Sequence, residues 1–330
     1  MPTLTDRIKH KAREIGFDLV GVAEAGPSQS HARYVDWLTR EHYGAMGYLA
    51  RPDAVARRGD VRELLPEARS VAVVGMNYYT EPTFSLGPSP YEGGGKVARY
   101  AWGDDYHAVI ADKLKLLVAF IEAEIGHAVS HKICVDTSAV LEREWAVRAG
   151  LGWIGKNTML INPRAGSWLL LGELLLDLAL DCDAPFIADQ CGTCTRCIQA
   201  CPTHCILPGR DLDASRCISY LTIESRDDIP SNLQPLMGDW IFGCDVCQAV
   251  CPWNRFARPT SEPAFASRNA TLDLRELVEM SDEAFRARFA HSAIRRVKRE
   301  GLVRNAAIVA ANRSGQSVDA LALDKDLQSG

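Results

Sequence analysis

The residues whose types and spacing most constrain the chemistry of this chain are Cys191-x-x-Cys194-x-x-Cys197-x-x-x-Cys201-Pro202 and a later echo, Cys244-x-x-Cys247-x-x-x-Cys251-Pro252. Gaps of two let three thiolates from one turn reach three corners of a cubane, while the cysteine before proline serves a second cluster. The spacing predicts two four-iron four-sulfur clusters. Eight ligands are needed, and the motifs supply seven; Cys217, in Arg216-Cys217-Ile218-Ser219, is the natural eighth. Cys191, Cys194, Cys197 and Cys251 are expected to hold one cluster, and Cys217, Cys244, Cys247 and Cys201 the other. Zinc is the competing reading, although zinc knuckles usually lack the closely spaced Cys-Pro, and disulfides suit small secreted chains. Cys134, Cys182 and Cys205 remain as small buried hydrophobes. Cys205 lies near enough to the motif to compete for ligation.

Clusters of this type pass one electron at a time, so they imply an acceptor elsewhere in the chain. A nicotinamide site is not evident: Gly150-x-Gly152-x-x-Gly155 follows a helical pattern rather than a strand. Three other segments carry suitable polar groups. Arg51 to Arg58 puts guanidiniums beside a helix start, Arg99 to His107 mixes aromatics with polar residues, and Cys134-Val135-Asp136-Thr137 places a carboxylate at a strand end. Each also has a plain reading, with Arg57 and Arg58 as surface charge and Asp136 as a helix cap. Between Arg286 and Arg304, Arg286, Arg288, Arg295, Arg296, Lys298, Arg299 and Arg304 are opposed by Glu300 alone. Such a run is either a solvated helix face or a contact for a nucleic-acid backbone.

Elements must bring these residues together, and 330 residues leave room for two or three domains. The cluster region spans 186–258, after an N-terminal block at 1–185 and before a helical, basic segment at 259–330. In the first block, Leu4, Ile8, Ala12 and Ile15 recur at helical spacing, and Ser70 to Tyr79 reads as a buried strand. A helix capped by Asp104 or Asp105 follows, then a strand at Val129 to Val135, a helix at Val140 to Arg148 and an apolar run from Trp168 to Leu180. This alternation predicts an α/β layer fold, with ligands at strand ends. Pro82 to Gly95 reads as a flexible loop or lid, and Pro259 to Arg268 as a boundary. The start of the chain lacks a signal-peptide core, and Trp168 to Leu180 carries Glu173 and Asp177 and is too short for a bilayer. With eleven cysteines and a net charge of -5, a soluble protein of the reducing cytoplasm is expected.

An ordered set of motifs makes the chain resemble the epoxyqueuosine reductase family. They are Met46-Gly47-Tyr48-Leu49-Ala50-Arg51-Pro52, Arg99-Tyr100-Ala101-Trp102-Gly103-x-Asp105-Tyr106-His107, Val135-Asp136-Thr137, Gly150-Leu151-Gly152-Trp153-Ile154-Gly155-Lys156-Asn157, the cysteine motifs and Arg216-Cys217-Ile218-Ser219-Tyr220-Leu221-Thr222. The resemblance runs to about residue 313. It implies an oxidoreductase with an N-terminal α/β cobalamin-binding domain, a ferredoxin-like double-cluster domain and a C-terminal helical, HEAT-like segment, a mixed α+β and α/β architecture. The family removes the epoxide oxygen of epoxyqueuosine at the tRNA wobble position, so tRNA and a low-potential electron donor are the implied partners. Asp136 becomes the implied proton donor, with a raised pKa. Arg57, Arg99, Asp136, Trp153, Lys156, Asn157 and Ser219 become candidate cobalamin contacts, and Arg295, Arg296, Lys298 and Arg299 candidate tRNA contacts. Members commonly continue into a longer helical-repeat region, so RNA contacts here are expected to be fewer or built differently. A reductive dehalogenase acting on a small molecule and a non-catalytic electron carrier are the alternatives.

Overall fold

The computed structural model describes residues 1–81 and 86–315. Its central feature is a four-stranded sheet in the order Leu19–Glu24, Ser70–Asn77, Leu169–Leu176, His131–Cys134, with every neighbouring pair antiparallel. Side chains alternate across each strand. Val74, Met76, Leu174 and Leu176 face Ile8, Ala12, Ile110, Leu114 and Ile121, from the helices Leu4–Ile15 and Tyr106–Ile125. Val71, Val73, Leu171 and Leu175 face Trp145 and Ala146 of the short helix Glu142–Arg148. Both faces are covered, which explains why the strand Leu169–Leu176 is apolar almost throughout. Glu173, in its middle, is completely buried.

The layers match the expected α/β arrangement, but the sheet does not. Parallel pairing would collect the carboxyl ends of all strands on one edge, where doubly wound folds bind ligands. An antiparallel sheet has no such edge, so the architecture is mixed α+β. The strand end that matters is that of His131–Cys134, which delivers Asp136 two residues later.

A second sheet joins the segments expected to fold separately. Gly94–Val97 lies between Trp240–Phe242, which it pairs in parallel, and Thr271–Asp273, which it pairs antiparallel. One strand therefore comes from each of 1–185, 186–258 and 259–330, and one hydrophobic cluster combines Val97 and Trp102 with Ile241, Phe242, Leu272 and Phe289. The loop or lid read over Pro82 to Gly95 ends in this buried central strand, and the Ser89 amide is held by Asp239. Pro82, Thr83, Phe84 and Ser85 lie outside the described residues.

The C-terminal helix Lys298–Ser314 docks on this second sheet. Fully buried Asn305 donates from Nδ2 to Thr222 O and Ile241 O, both at 2.8 Å. These bonds satisfy two carbonyls that the helix would otherwise seal from water. Residues 316–330 of the expected helical segment fall outside the described residues. No helix among the described residues is long and apolar enough to cross a membrane.

Candidate active site and cluster cavities

Cys191, Cys194, Cys197 and Cys251 line a single cavity, together with Lys156, Asn157 and Trp253. Sulfurs from two distant stretches thus converge, as the crosswise ligand scheme requires. Trp153 directs its indole N–H at Cys191 Sγ, 3.5 Å away, and packs edge-on against Trp253. Lys156 Nζ donates to Gly192 O at 2.7 Å and Cys194 O at 3.0 Å, tying down the cysteine turn. Asn157 is 4% exposed with a buried Nδ2 that has no partner. A donor left over beside four thiols fits a sulfide-bearing cluster, whose sulfurs accept hydrogen bonds. The turn itself depends on Gly152, where a Cβ would stand 2.1 Å from Ile161 O.

The second group contains five cysteines rather than four. Cys201 Sγ lies 3.4 Å from Cys205 Sγ, Cys217 and Cys247 pack in the same cluster, and Cys244 is near enough to feel the charges of both. Cys205, expected as a bystander, is 2% exposed and sits between two expected ligands. Cys134 is buried as expected, whereas Cys182 is exposed.

From this group one short helix runs to Glu224. Cys217 stands at the start of Ile218–Ile223 and Glu224 at its end. Six helical residues rise roughly 9 Å. Tyr220 accepts a hydrogen bond from the Ala45 amide at 2.6 Å, and Glu224 holds Arg296 through two bonds of 2.9 Å. Tyr48, 45% exposed, lies 5.8 Å from the Arg296 guanidinium, where the charges of Glu224 and Asp136 reach it.

Asp136 occupies a strained turn. Its φ is +51°, a left-handed backbone unusual for a residue with a side chain, and the Thr137 amide closes back on Val135 O. Such strain persists only where the surroundings hold it. Here the Asp136 amide donates to the Glu142 carboxylate, and its own carboxylate meets His107 Nε2 at 3.2 Å and the Tyr106 hydroxyl. Asp105 takes the other side of the imidazole at 2.6 Å, while also capping the helix that carries His107. The result is a chain Asp105, His107, Asp136, with 58% of the Asp136 side chain exposed.

The electrostatics follow from this chain. Burial lowers the basicity of His107, but hydrogen bonds to Asp105 and Asp136 and their charges outweigh it, raising the pKa to about 9. Crowding pushes the Asp136 carboxyl up, yet the His107 bond and charge, with help from Tyr106, hold it below the usual range. The raised Asp136 pKa expected of a proton donor is therefore not found. At neutral pH the proton rests on the imidazole beside it.

Against known proteins, the chain is 46% identical over 310 residues to an epoxyqueuosine reductase of Leadbetterella byssophila, covering 94% of this chain and 99% of that one. The chain belongs to the epoxyqueuosine reductase family. It is accordingly an oxidoreductase. The family model described as epoxyqueuosine reductase QueG, DUF1730, matches residues 58–137, which end just past Asp136. A 4Fe-4S double cluster binding domain matches 190–254, so the chain carries an iron–sulfur module. A crystal structure of an epoxyqueuosine reductase with a tRNA-Tyr epoxyqueuosine-modified stem loop is 30% identical, with a TM-score of 0.85, covering 94% of this chain and 81% of that chain. A Bacillus subtilis epoxyqueuosine reductase, at 29% identity and a TM-score of 0.84 over 94% of this chain and 81% of that one, has its catalytic aspartate loop swung out of the active site.

In this member of the family the residues predicted to contact cobalamin do not form one group. Lys156 and Asn157 line the first cysteine cavity, and Trp153 reaches Cys191 beside it. Arg99 is 3% exposed, boxed by Tyr79, Trp102 and Trp168 at 4.6 to 4.8 Å and bonded to Thr80 O, so its guanidinium serves the interior. Arg57 is half-buried and paired with Asp53 at 3.2 Å, while Ser219 is half-buried beside Cys217. Among the tRNA candidates, Arg299 bonds Met280 O and Val278 O at the end of a preceding helix. Arg304, from the same basic run, bonds Ser225 O, Asp227 O and Leu221 O. Arg295, Arg296 and Lys298 stay exposed. Sequence reasoning missed Tyr106, His107 and Glu142 as partners of Asp136. The first two stood in a quoted motif, but nothing in the sequence linked them to Asp136.

Proposed function

We propose that this chain reduces epoxyqueuosine in tRNA to queuosine at the wobble position, with cobalamin as the cofactor at the Asp136 cleft and two four-iron four-sulfur clusters as its electron supply. The observation that carries this reading is the Asp105, His107, Asp136 chain, which ends on a carboxylate exposed over 58% of its side chain. Reductive loss of an epoxide oxygen takes two electrons and two protons: both C–O bonds break, a C=C bond forms and the oxygen leaves as water. A site for that reaction needs an electron route and a proton source, and the cysteine motifs and the Asp136–His107 pair are the candidates for the two.

The cysteine sets Cys191, Cys194, Cys197, Cys251 and Cys217, Cys244, Cys247, Cys201 are the proposed cluster ligands. Exposed Asp136 and Tyr48, with Ser219 beside Cys217 and the half-buried Arg57, are the residues that would hold a broad polar cofactor. Bound and reduced, cobalamin would supply the low-potential electrons that break the C–O bonds. The residues of the chain handle the proton. His107 shares its proton with Asp136, Asp136 presents it to the departing oxygen, and Asp105 keeps the imidazole oriented and charged. Arg295, Arg296 and Lys298 are the proposed backbone contacts for the anticodon stem, and an external low-potential protein is the proposed electron donor.

Mass analysis of nucleosides tests this reading after epoxyqueuosine tRNA is incubated with reduced, cluster- and cobalamin-loaded protein. Queuosine should replace epoxyqueuosine. Asp136→Asn should keep both cofactors, seen in the visible spectrum, and lower turnover roughly 10²- to 10⁴-fold, the usual contribution of a general acid. Protein that binds no cobalamin, or an Asp136→Asn variant that turns over normally, would overturn it.

A further inference from the structure

The hairpin beside the first cysteine set carries more N–H donors than the fold consumes. Trp153 and Ile154 pair with Ile161 and Leu160, and Gly155, Lys156 and Asn157 lie in the turn between them. Lys156 is accounted for as a clasp, since its ammonium bonds Gly192 O and Cys194 O of the cysteine turn. Asn157 is not. Its Oδ1 accepts from the Met159 amide at 3.3 Å, and a Cβ on Gly155 would stand 2.7 Å from the same oxygen, so that oxygen faces the hairpin's own backbone. A main-chain N–H can bond only the oxygen of a side-chain amide, which fixes the two ends of the group and turns Nδ2 away from the hairpin. Nδ2 is buried without a partner, and the cavity that Asn157 lines is walled by Cys191, Cys194, Cys197 and Cys251. Trp153 Nε1, 3.5 Å from Cys191 Sγ, is a second donor on the same set.

Burying an amide hydrogen without an acceptor destabilises a fold, and an apolar side chain of similar size would avoid that cost. The acceptor that four converging thiols imply is the sulfur of a cluster they hold. Hydrogen bonds of this kind act on electron affinity. An added electron places more negative charge on the sulfurs, so an N–H directed at them stabilises the reduced form more than the oxidised one and raises the potential.

We propose that Asn157, with Trp153 beside it, hydrogen-bonds the first cluster and raises its reduction potential, which makes that cluster the one an external donor reduces. The step transfers one electron: the low-potential donor protein is oxidised by one, the first cluster is reduced by one, and no bond or proton moves. The position of the first set agrees with an entry point. Gly192, Thr193, Thr195 and Arg196 of its cysteine turn are exposed, whereas Cys201 of the second set is 8% exposed. The inference rests on the two-cluster reading above. Both residues tune the cluster, and neither acts on the substrate.

The test is a redox titration of the full-length, cluster-loaded protein without cobalamin, followed by electron paramagnetic resonance, in the parent and in Asn157→Leu and Trp153→Phe. Asn157→Leu should keep its iron and sulfide and move one of the two one-electron steps to lower potential. At a fixed potential the ratio of reduced to oxidised cluster should fall roughly tenfold, as loss of a hydrogen bond to a charged group predicts, or about 59 mV for one electron. Trp153→Phe should move the same step in the same direction and leave the other in place. Turnover driven by a donor poised near the parent potential should fall in step and recover with a stronger reductant. A defect that the stronger reductant does not rescue overturns the entry role. Unchanged potentials in Trp153→Phe and in Asn157→Leu at full iron content overturn the tuning while leaving the reductase reading intact. Should Asn157→Leu fail to fold, Trp153→Phe decides alone. Parent protein that takes up no cluster at the first cysteine set overturns this inference together with the two-cluster reading, and the two failures are told apart.

Discussion

At the scale of single residues, function depends on which neighbour each ionisable group meets. His107 shows the sign clearly. Two carboxylates raise its pKa to about 9, so its proton is present through neutrality and is lost as pH rises through that value. Turnover should therefore decline above a pH of about 9, and His107→Gln should abolish that limb and slow the reaction at neutral pH, measured as kcat against pH. The same variant removes the partner that holds Asp136 ionised, so the Asp136 pKa should rise in a carboxyl titration. Among the thiols, Cys205 competes with Cys201 for the second cluster by position alone. The cysteine before Pro202 is the one a two-cluster geometry uses, so Cys201→Ala should halve the iron and sulfide content, while Cys205→Ala should leave both unchanged.

At the scale of elements, short pieces of backbone set distances. The helix Ile218–Ile223 has Cys217 at one end and Glu224 at the other, so it spaces the second cysteine group from the Arg296 that Glu224 holds. That helix is held by the C-terminal one through Asn305, whose amide satisfies Thr222 O and Ile241 O. Asn305→Leu should destabilise the protein by about 2–4 kcal/mol in chemical denaturation, since each buried carbonyl left unpaired forfeits roughly 1–3 kcal/mol. Activity should fall less than stability. The turn Val135–Val140 behaves differently. It is bent by a positive φ and fastened by Glu142 and His107 rather than by a regular ladder, and a relative is known with its aspartate loop swung out.

At the scale of the whole molecule, charge is divided rather than pooled. The net charge of -5 conceals a basic run, but folding commits part of that run to the interior. Arg299 and Arg304 bond main-chain carbonyls, and Arg296 is paired with Glu224. Arg295, though bonded to Ala290 O, and Lys298 stay exposed without a carboxylate partner among the described ion pairs. Reversing Arg295 and Lys298 to glutamate should weaken tRNA binding and lower the slope of log Kd against log salt by about 1 for each phosphate no longer neutralised. Reversing Arg299 should instead lower stability, because its bonds to Met280 O and Val278 O are internal.

What the sequence determined by itself was whatever depends on neighbours along the chain. Cysteine spacing announced two clusters, helical periodicity placed Leu4–Ile15 and Tyr106–Ile125, and the order of motifs announced the family. Local covalent geometry and side-chain period carry such information, and they act over a few residues. Only the tertiary structure decided that the sheet is antiparallel, that Lys156 and Asn157 line the first cysteine cavity with Trp153 beside it, and that Arg99 is boxed by aromatics. Those outcomes rest on contacts between residues distant in sequence, which spacing does not encode. Glu173 makes the difference plain. In the sequence it marked an apolar run as too polar for a membrane; in the fold it is a carboxyl without partners, because both faces of its sheet are covered and Asp136 lies just ahead of it.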